Sequence, residues 1–116
     1  MLSVNKKIDA FVLASRPKTL LAAVVPVMIG TSLAIYYDKL NVAAALIALV
    51  CSVLIQIGTN YVNDLYDYLK GTDTAERVGP PRALASGLLS VSDMKTGIVI
   101  IFGLAFVLGL YLVTLG

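Results

Sequence analysis

The sequence predicts an all-α integral membrane protein with three transmembrane helices. Hydrophobic residues make up 59% of the 116 positions and charged residues only 14%, whereas about 25% charge is usual in soluble domains. Three apolar stretches are each long enough, at about 20 residues, to cross about 30 Å of hydrocarbon. The basic residues are distributed very unevenly among the polar segments that flank and connect these stretches.

The three predicted spans are residues 19–37, 41–62 and 96–116. The first span is longer than the apolar core of a cleavable signal peptide, so we expect it to be retained. Small residues such as Gly30, Gly103 and Gly109 recur in the spans. Because small residues allow helices to approach closely in a membrane, the spans are expected to pack against other helices.

The basic residues predict the orientation of these spans. Lys39 is the only Lys or Arg in the short hairpin between the first two spans, whereas eight lie before the first span or in the long loop 63–95. Basic residues concentrate on the cytoplasmic side of membrane proteins. The N-terminus and loop 63–95 are therefore predicted to be cytoplasmic in a multi-pass protein of the cell membrane. The eight residues are Lys6, Lys7, Arg16, Lys18, Lys70, Arg77, Arg82 and Lys95.

Composition excludes several kinds of site. The sequence has no His, which removes the Ser/His/Asp triad and any imidazole metal site. Its one Cys, Cys51, lies in an apolar run and cannot form an internal disulfide or a thiolate metal cage. A bound metal would need oxygen ligands, as Mg²⁺, Mn²⁺ and Ca²⁺ do. A net charge of +2 gives no reason to expect a nucleic-acid partner.

The second span becomes polar on one side as it ends. At 3.6 residues per turn, four polar residues fall within an arc of about 60°, with Asp64 at its edge. Polar groups at membrane depth normally face a bundle interior or a wet cavity. With no Pro or Gly between positions 60 and 70, the helix is predicted to continue to position 68 or 69. The four polar residues are Gln56, Asn60, Asn63 and Asp67.

The loop after this helix adds the carboxylate of Asp73 and several cations. Asp73 follows Gly71, and the basic residues Lys70, Arg77 and Arg82 lie close by in the sequence. Carboxylates that hold Mg²⁺, beside cations that hold phosphate oxygens, would form a diphosphate site. The alternative is the wet end of a helix followed by ordinary solvated loop charges.

The run Asn63-Asp64-x-x-Asp67-x-x-x-Gly71-x-Asp73 resembles the first aspartate-rich motif, N-D-x-x-D-x-x-x-D, of the UbiA superfamily of membrane aromatic prenyltransferases. Gly71 takes the last motif position and Asp73 follows it, as in the branch that prenylates 1,4-dihydroxy-2-naphthoate in menaquinone synthesis. Residues 15–20 (SRPKTL) and 79–87 (GPPRALASG) resemble other segments of that branch.

The resemblance implies a Mg²⁺-dependent transfer of a prenyl group from a polyprenyl diphosphate to an aromatic small molecule, within the lipid bilayer. It implies metal ligands at Asn63, Asp64, Asp67 and Asp73, and catalytic roles for Asn63, Asp67 and Arg82. It implies substrate binding by Asn60, Lys70, Arg77 and Arg16. Judged from the residues alone, the interpretation of Arg16 and Lys18 as cytoplasmic anchors of the first span is favoured, and contact with an anionic substrate group is the alternative.

Members of this family are much longer and carry a second aspartate-rich motif. We therefore expect residues 1–116 to be the N-terminal part of a larger UbiA-type helical bundle, with the missing C-terminal portion as a partner. A fragment is favoured over a split gene or a decayed remnant. The alternative from another class is a small, non-catalytic membrane scaffold or lipid-binding protein.

Overall fold

The computed structural model describes residues 4–70 and 89–115. Every regular element in these two ranges is a helix. Helix α1 is Val4–Ala14, and the 3₁₀ turn Pro17–Thr19 connects it to α2, Leu21–Tyr36. Helix α3 is Val42–Leu69 and α4 is Val91–Leu115. The predicted all-α class is confirmed for the part of the chain that the structure describes.

Two or three helical units are able to cross a membrane by length and composition. Helices α3 and α4 reach mean hydropathies of 2.3 and 2.8 over 18 residues. Helix α2 has only 16 residues, but it forms a third candidate together with the segment Lys6–Thr19, from which it is bent by 54°. Helices α3 and α4 are therefore confirmed as candidate membrane helices, and the first predicted span qualifies only if the bent pair counts as one span.

The observed helices agree with the predicted extension of the second span and differ from the sequence prediction in two other respects. Helix α3 continues to Leu69, which confirms the predicted extension past the apolar run. Helix α4 begins at Val91, five positions before the predicted start at 96. Helix α1 was not predicted from the sequence, although Ile8, Phe11 and Val12 have the spacing of an amphipathic helix. It was missed because only apolar runs long enough to span a bilayer were considered.

The early start of α4 has a local cause. The backbone N–H of Ser90 donates to Asp93 Oδ2 at 3.2 Å, and the backbone N–H of Asp93 donates to Ser90 Oγ at 3.0 Å. This reciprocal pair is a capping box, which satisfies two N–H groups at a helix N-terminus. Lys7 Nζ on α1 also lies 3.4 Å from both carboxylate oxygens of Asp93. Asp93 is therefore a structural residue of α4 and not a solvated loop carboxylate.

The buried side chains cluster where α3 ends and α4 begins. Helix α1 covers this cluster with Ala10 and Ala14, and the cluster is completed by Tyr61, Leu65, Leu89 and Met94. By contrast, many large apolar side chains elsewhere on α2, α3 and α4 are exposed, as expected of surfaces that face lipid or further helices. Helix α2 is joined to α3 by a hydrogen bond of 2.8 Å from Ser52 Oγ to the carbonyl oxygen of Ala23.

Two glycines allow aromatic rings to approach the helix backbone. A Cβ atom on Gly58 of α3 would lie 2.6 Å from Phe102 Cζ of α4, and one on Gly97 would lie 2.6 Å from Phe11 Cε1 of α1. These distances are shorter than any ordinary carbon–carbon contact. A Cβ on Gly103 of α4 would meet nothing within 4 Å.

We expect Gly58→Ala to be less stable than Gly103→Ala by about 1–3 kcal/mol, the usual cost of an overpacked contact. Both substitutions gain the same helix propensity, about 1 kcal/mol, so their difference isolates the clash with Phe102. Thermal unfolding in detergent would measure it, and adding Phe102→Leu should restore Gly58→Ala. Equal stability of the two alanine variants would contradict the close α3–α4 packing.

Candidate functional site

The last turns of α3 carry some polar side chains that are buried in the helix bundle and others that are exposed at its surface. Asn60 and Asp64 are 3% and 2% exposed, whereas Asp67 is partly buried and Asn63 and Lys70 are exposed. The predicted stripe therefore does not lie on one uniformly wet face. It crosses from the interior of the helix bundle to its surface.

Asp64 and Asp67 place two carboxylates one turn apart on either side of the boundary between interior and surface. Their side chains are separated by about 60° around the helix, so both can point toward the same side of α3. Both residues have interaction partners in the structure. Burial of a carboxylate is costly unless the group is compensated, and Asp64 is almost completely buried. This arrangement differs from the ordinary solvated helix end that was the alternative interpretation.

Asn60 is engaged with the connection between α1 and α2. Its Nδ2 donates to the carbonyl oxygen of Ser15 at 2.8 Å and to Thr19 Oγ1 at 3.1 Å. The next residue, Tyr61, donates from its hydroxyl to the carbonyl oxygen of Phe11 at 3.1 Å. Two consecutive residues of α3 thus fasten the end of α1 and the following turn to the polar end of α3.

Arg16 begins the turn that Asn60 holds. Its backbone is left-handed, with φ 50° and ψ 71°, a conformation that is uncommon for a residue with a Cβ atom. The Arg16 carbonyl oxygen accepts from both the backbone N–H and the hydroxyl of Thr19, each at 2.9 Å. The Arg16 side chain is partly buried.

The remaining predicted site residues are divided between described and undescribed parts of the chain. Lys70 caps α3, and its Nζ lies 5.9 Å from the centroid of the Tyr66 ring. Asp73, Arg77 and Arg82 lie outside the described residues. The structure therefore brings Asn63, Asp64, Asp67 and Lys70 together on the last two turns of one helix.

The donor atoms fit a hard divalent cation in kind. Asn63, Asp64 and Asp67 offer only amide and carboxylate oxygens, and Mg²⁺ is commonly held by one or two carboxylates together with waters and substrate phosphates. Within residues 4–70 and 89–115, no group of three or more His, Cys, Asp or Glu side chains is placed to hold a metal. The described residues thus offer a partial oxygen site.

Sequence reasoning missed the residues that attach α1 to α3. Ser15, Thr19 and Tyr61 were not among the predicted site residues. The available signal was the pair of hydroxyl residues that brackets Arg16 and Pro17. The sequence does not indicate that these residues bond to Asn60, because Asn60 lies more than 40 positions away.

The chain is similar to several known enzymes and matches one family. The model of the UbiA prenyltransferase family matches residues 23–116. This chain is also similar to the 1,4-dihydroxy-2-naphthoate octaprenyltransferases of Haemophilus influenzae, Escherichia coli and Bacillus subtilis, with 30%, 36% and 38% identity respectively. These matches cover 95%, 90% and 84% of this chain, but 36%, 34% and 32% of the respective relatives.

The chain thus spans about a third of the length of these curated relatives. The comparison with solved structures gave no match. The family match includes α3, α4 and the aspartate-rich segment 63–73, which begins in the last turns of α3. Because this match extends over well more than half of the sequence, the chain belongs to the UbiA prenyltransferase family.

Proposed function

We propose that the protein containing this chain transfers a polyprenyl group from its diphosphate to an aromatic acceptor, 1,4-dihydroxy-2-naphthoate. The main support is the end of α3, where an apolar, membrane-length helix continues into Asn63, Asp64 and Asp67 with one carboxylate buried and one at the surface. The names of the relatives support the acceptor. Because this chain spans only a third of their length, the activity is proposed for the whole protein and not for these 116 residues alone.

The residues of the aspartate-rich segment have distinct proposed roles. Asn63, Asp67 and Asp73 would hold Mg²⁺ with Asp64 as a secondary ligand, and UbiA prenyltransferases generally depend on a divalent metal. When bound, the ion would compensate the negative charge of the departing diphosphate. Asn63, Asp67 and Arg82 act at the reacting end of the substrate. Lys70, Arg77 and Arg16 would neutralise phosphate or acceptor oxygens.

The proposed reaction breaks the bond between the allylic carbon and the diphosphate oxygen. The allylic carbon then forms a bond to an electron-rich ring carbon of the acceptor, and the carboxylate at that carbon leaves as carbon dioxide. The protein residues contribute by holding the diphosphate at the end of α3, where Asp67 is accessible and α3 leaves its apolar part. The apolar helix surfaces suit a prenyl chain.

Prenyl transfer by the full-length protein in lipid nanodiscs would test this function. Octaprenyl diphosphate and 1,4-dihydroxy-2-naphthoate should yield a prenylated, decarboxylated product, detected by mass, and chelation of divalent metal should abolish it. A scaffold or lipid-binding protein would neither form this product nor bind a prenyl diphosphate in a metal-dependent manner. Absence of both properties in a properly inserted protein would reject the proposal.

We also propose that the N-terminus and the segment between α3 and α4 are cytoplasmic, and labelling of intact cells would test this orientation. In a Cys51→Ala background, Thr74→Cys should react with an impermeant thiol reagent only after the cells are opened. Lys39→Cys, in the exposed hairpin between α2 and α3, should react before opening. The reverse pattern would overturn the orientation and with it the positive-inside assignment.

A further inference from the structure

We propose that Asn60 is a positioning residue that, together with Thr19, holds Arg16 in place for the diphosphate group. The inference rests on the proposed function, since it assigns the anion that Arg16 meets. It changes the role expected for Asn60, which the sequence analysis assigned to direct substrate binding. Three observations support it: the use of the Asn60 donors, the link through Thr19, and the backbone conformation of Arg16.

The Asn60 amide has no N–H left for a substrate. A side-chain amide carries two N–H groups, and those of Asn60 are directed to the Ser15 carbonyl oxygen and to Thr19 Oγ1. The Ser15 carbonyl can only accept, so the amide nitrogen and not the amide oxygen faces the turn. Asn60 is also 3% exposed. A phosphate oxygen therefore finds neither a donor nor access at this residue.

Thr19 passes the restraint on to Arg16. Its hydroxyl accepts from Asn60 and donates its single proton to the Arg16 carbonyl oxygen at 2.9 Å. The Thr19 backbone N–H donates to the same oxygen, also at 2.9 Å. One connected set of hydrogen bonds thus holds the carbonyl groups of Ser15 and Arg16. These two groups flank the left-handed α-carbon of Arg16.

The left-handed backbone conformation of Arg16 requires such a restraint. A residue with a Cβ atom is held at φ 50° only when its surroundings enforce that conformation. Gly would adopt it without cost, yet this position carries a long cationic side chain. The turn meets α3 at Asn60, about 6 Å along the helix axis from Asp64. A long cationic side chain that starts from this turn is long enough to reach the end of α3, where a metal-bound diphosphate would sit.

Binding of inorganic pyrophosphate in the presence of Mg²⁺ to the full-length protein tests the inference. Asn60 is buried, and replacing it could unfold the protein. The test therefore uses the substitution Thr19→Val. Arg16→Ala should weaken binding about tenfold, the usual size of one lost charged hydrogen bond. Thr19→Val should weaken it about threefold or more. The double variant should bind no more weakly than Arg16→Ala, because both changes remove the same interaction.

Two matched variants and a second measurement separate positioning from general damage. Thr19→Ser retains the hydroxyl and should restore binding. Thr59→Val, beside Asn60, removes an exposed hydroxyl that bonds only within its helix, to the Ile55 carbonyl at 2.9 Å, and should leave binding unchanged. Hydrogen exchange of the backbone amides of Arg16 and of positions 18–20 should accelerate in Thr19→Val and remain slow in Thr59→Val.

The outcomes distinguish this inference from the proposed function. Additive losses in the double variant, unchanged amide exchange in Thr19→Val, or no pyrophosphate binding by the wild type would each overturn the positioning role. A wild-type protein that shows the expected binding pattern without transferring a prenyl group to the naphthoate would instead reject the proposed reaction and leave the positioning role supported.

Discussion

Replacing Asp67 by Asn is expected to lower turnover by at least about two orders of magnitude in the full-length protein. Asn keeps the size of the side chain and its hydrogen bonding but removes the negative charge. If Asp67 is a metal ligand, about 3 kcal/mol of transition-state stabilisation would be lost, which corresponds to this change in rate. Asp67 is partly accessible at the end of α3, so the substitution should not disturb the packed cluster.

The measurement is steady-state prenyl transfer over a range of Mg²⁺ concentrations, with insertion and folding verified for each variant. Added Mg²⁺ should restore part of the lost rate. Asp9→Asn, on the exposed side of α1, is the matched control and should retain normal turnover. Asp93 is unsuitable as a control because it caps α4 and lies beside Lys7. Near-normal turnover of Asp67→Asn at limiting Mg²⁺ would remove Asp67 from the metal site.

The membrane helices could be predicted from the sequence because long apolar runs are strong, local signals. The continuation of α3 to Leu69 was also predictable, since nothing between positions 60 and 70 interrupts a helix. Helix α1 was missed for the opposite reason. Its 11 residues are too few and too polar to cross a bilayer, and its stability depends on packing against distant parts of α3 and α4.

The candidate site was predicted in its residue types but not in its environment. Helical periodicity placed Asn60, Asn63 and Asp67 on one arc, and that geometry says nothing about which part of the arc a neighbouring helix covers. The turn Ser15–Thr19 covers Asn60 through contacts more than 40 positions apart in the sequence. Periodicity within α3 alone therefore could not separate the buried Asp64 from the exposed Asn63.

Replacing Asp64 by Asn is expected to raise the Mg²⁺ concentration for half-maximal turnover by about 10–100-fold, the range typical of groups that support a metal ligand. Turnover at saturating Mg²⁺ should fall less than in Asp67→Asn. The reason is the different placement of the two carboxylates. Asp67 is partly exposed, whereas Asp64 is 2% exposed and would reach an ion only from the packed side of α3.

Thermal stability provides an independent measure of this role. An ion that binds only the folded protein raises its stability according to its affinity, and a tenfold loss of affinity removes about 1.4 kcal/mol of that gain at high Mg²⁺. The gain is measured within each variant, with pyrophosphate present, so any change in metal-free stability caused by altering a buried carboxylate cancels. Asp64→Asn should show a smaller gain than the wild type and than Asp9→Asn. An undiminished gain would assign Asp64 to packing alone and leave Asp67 as the carboxylate of α3 that serves the metal.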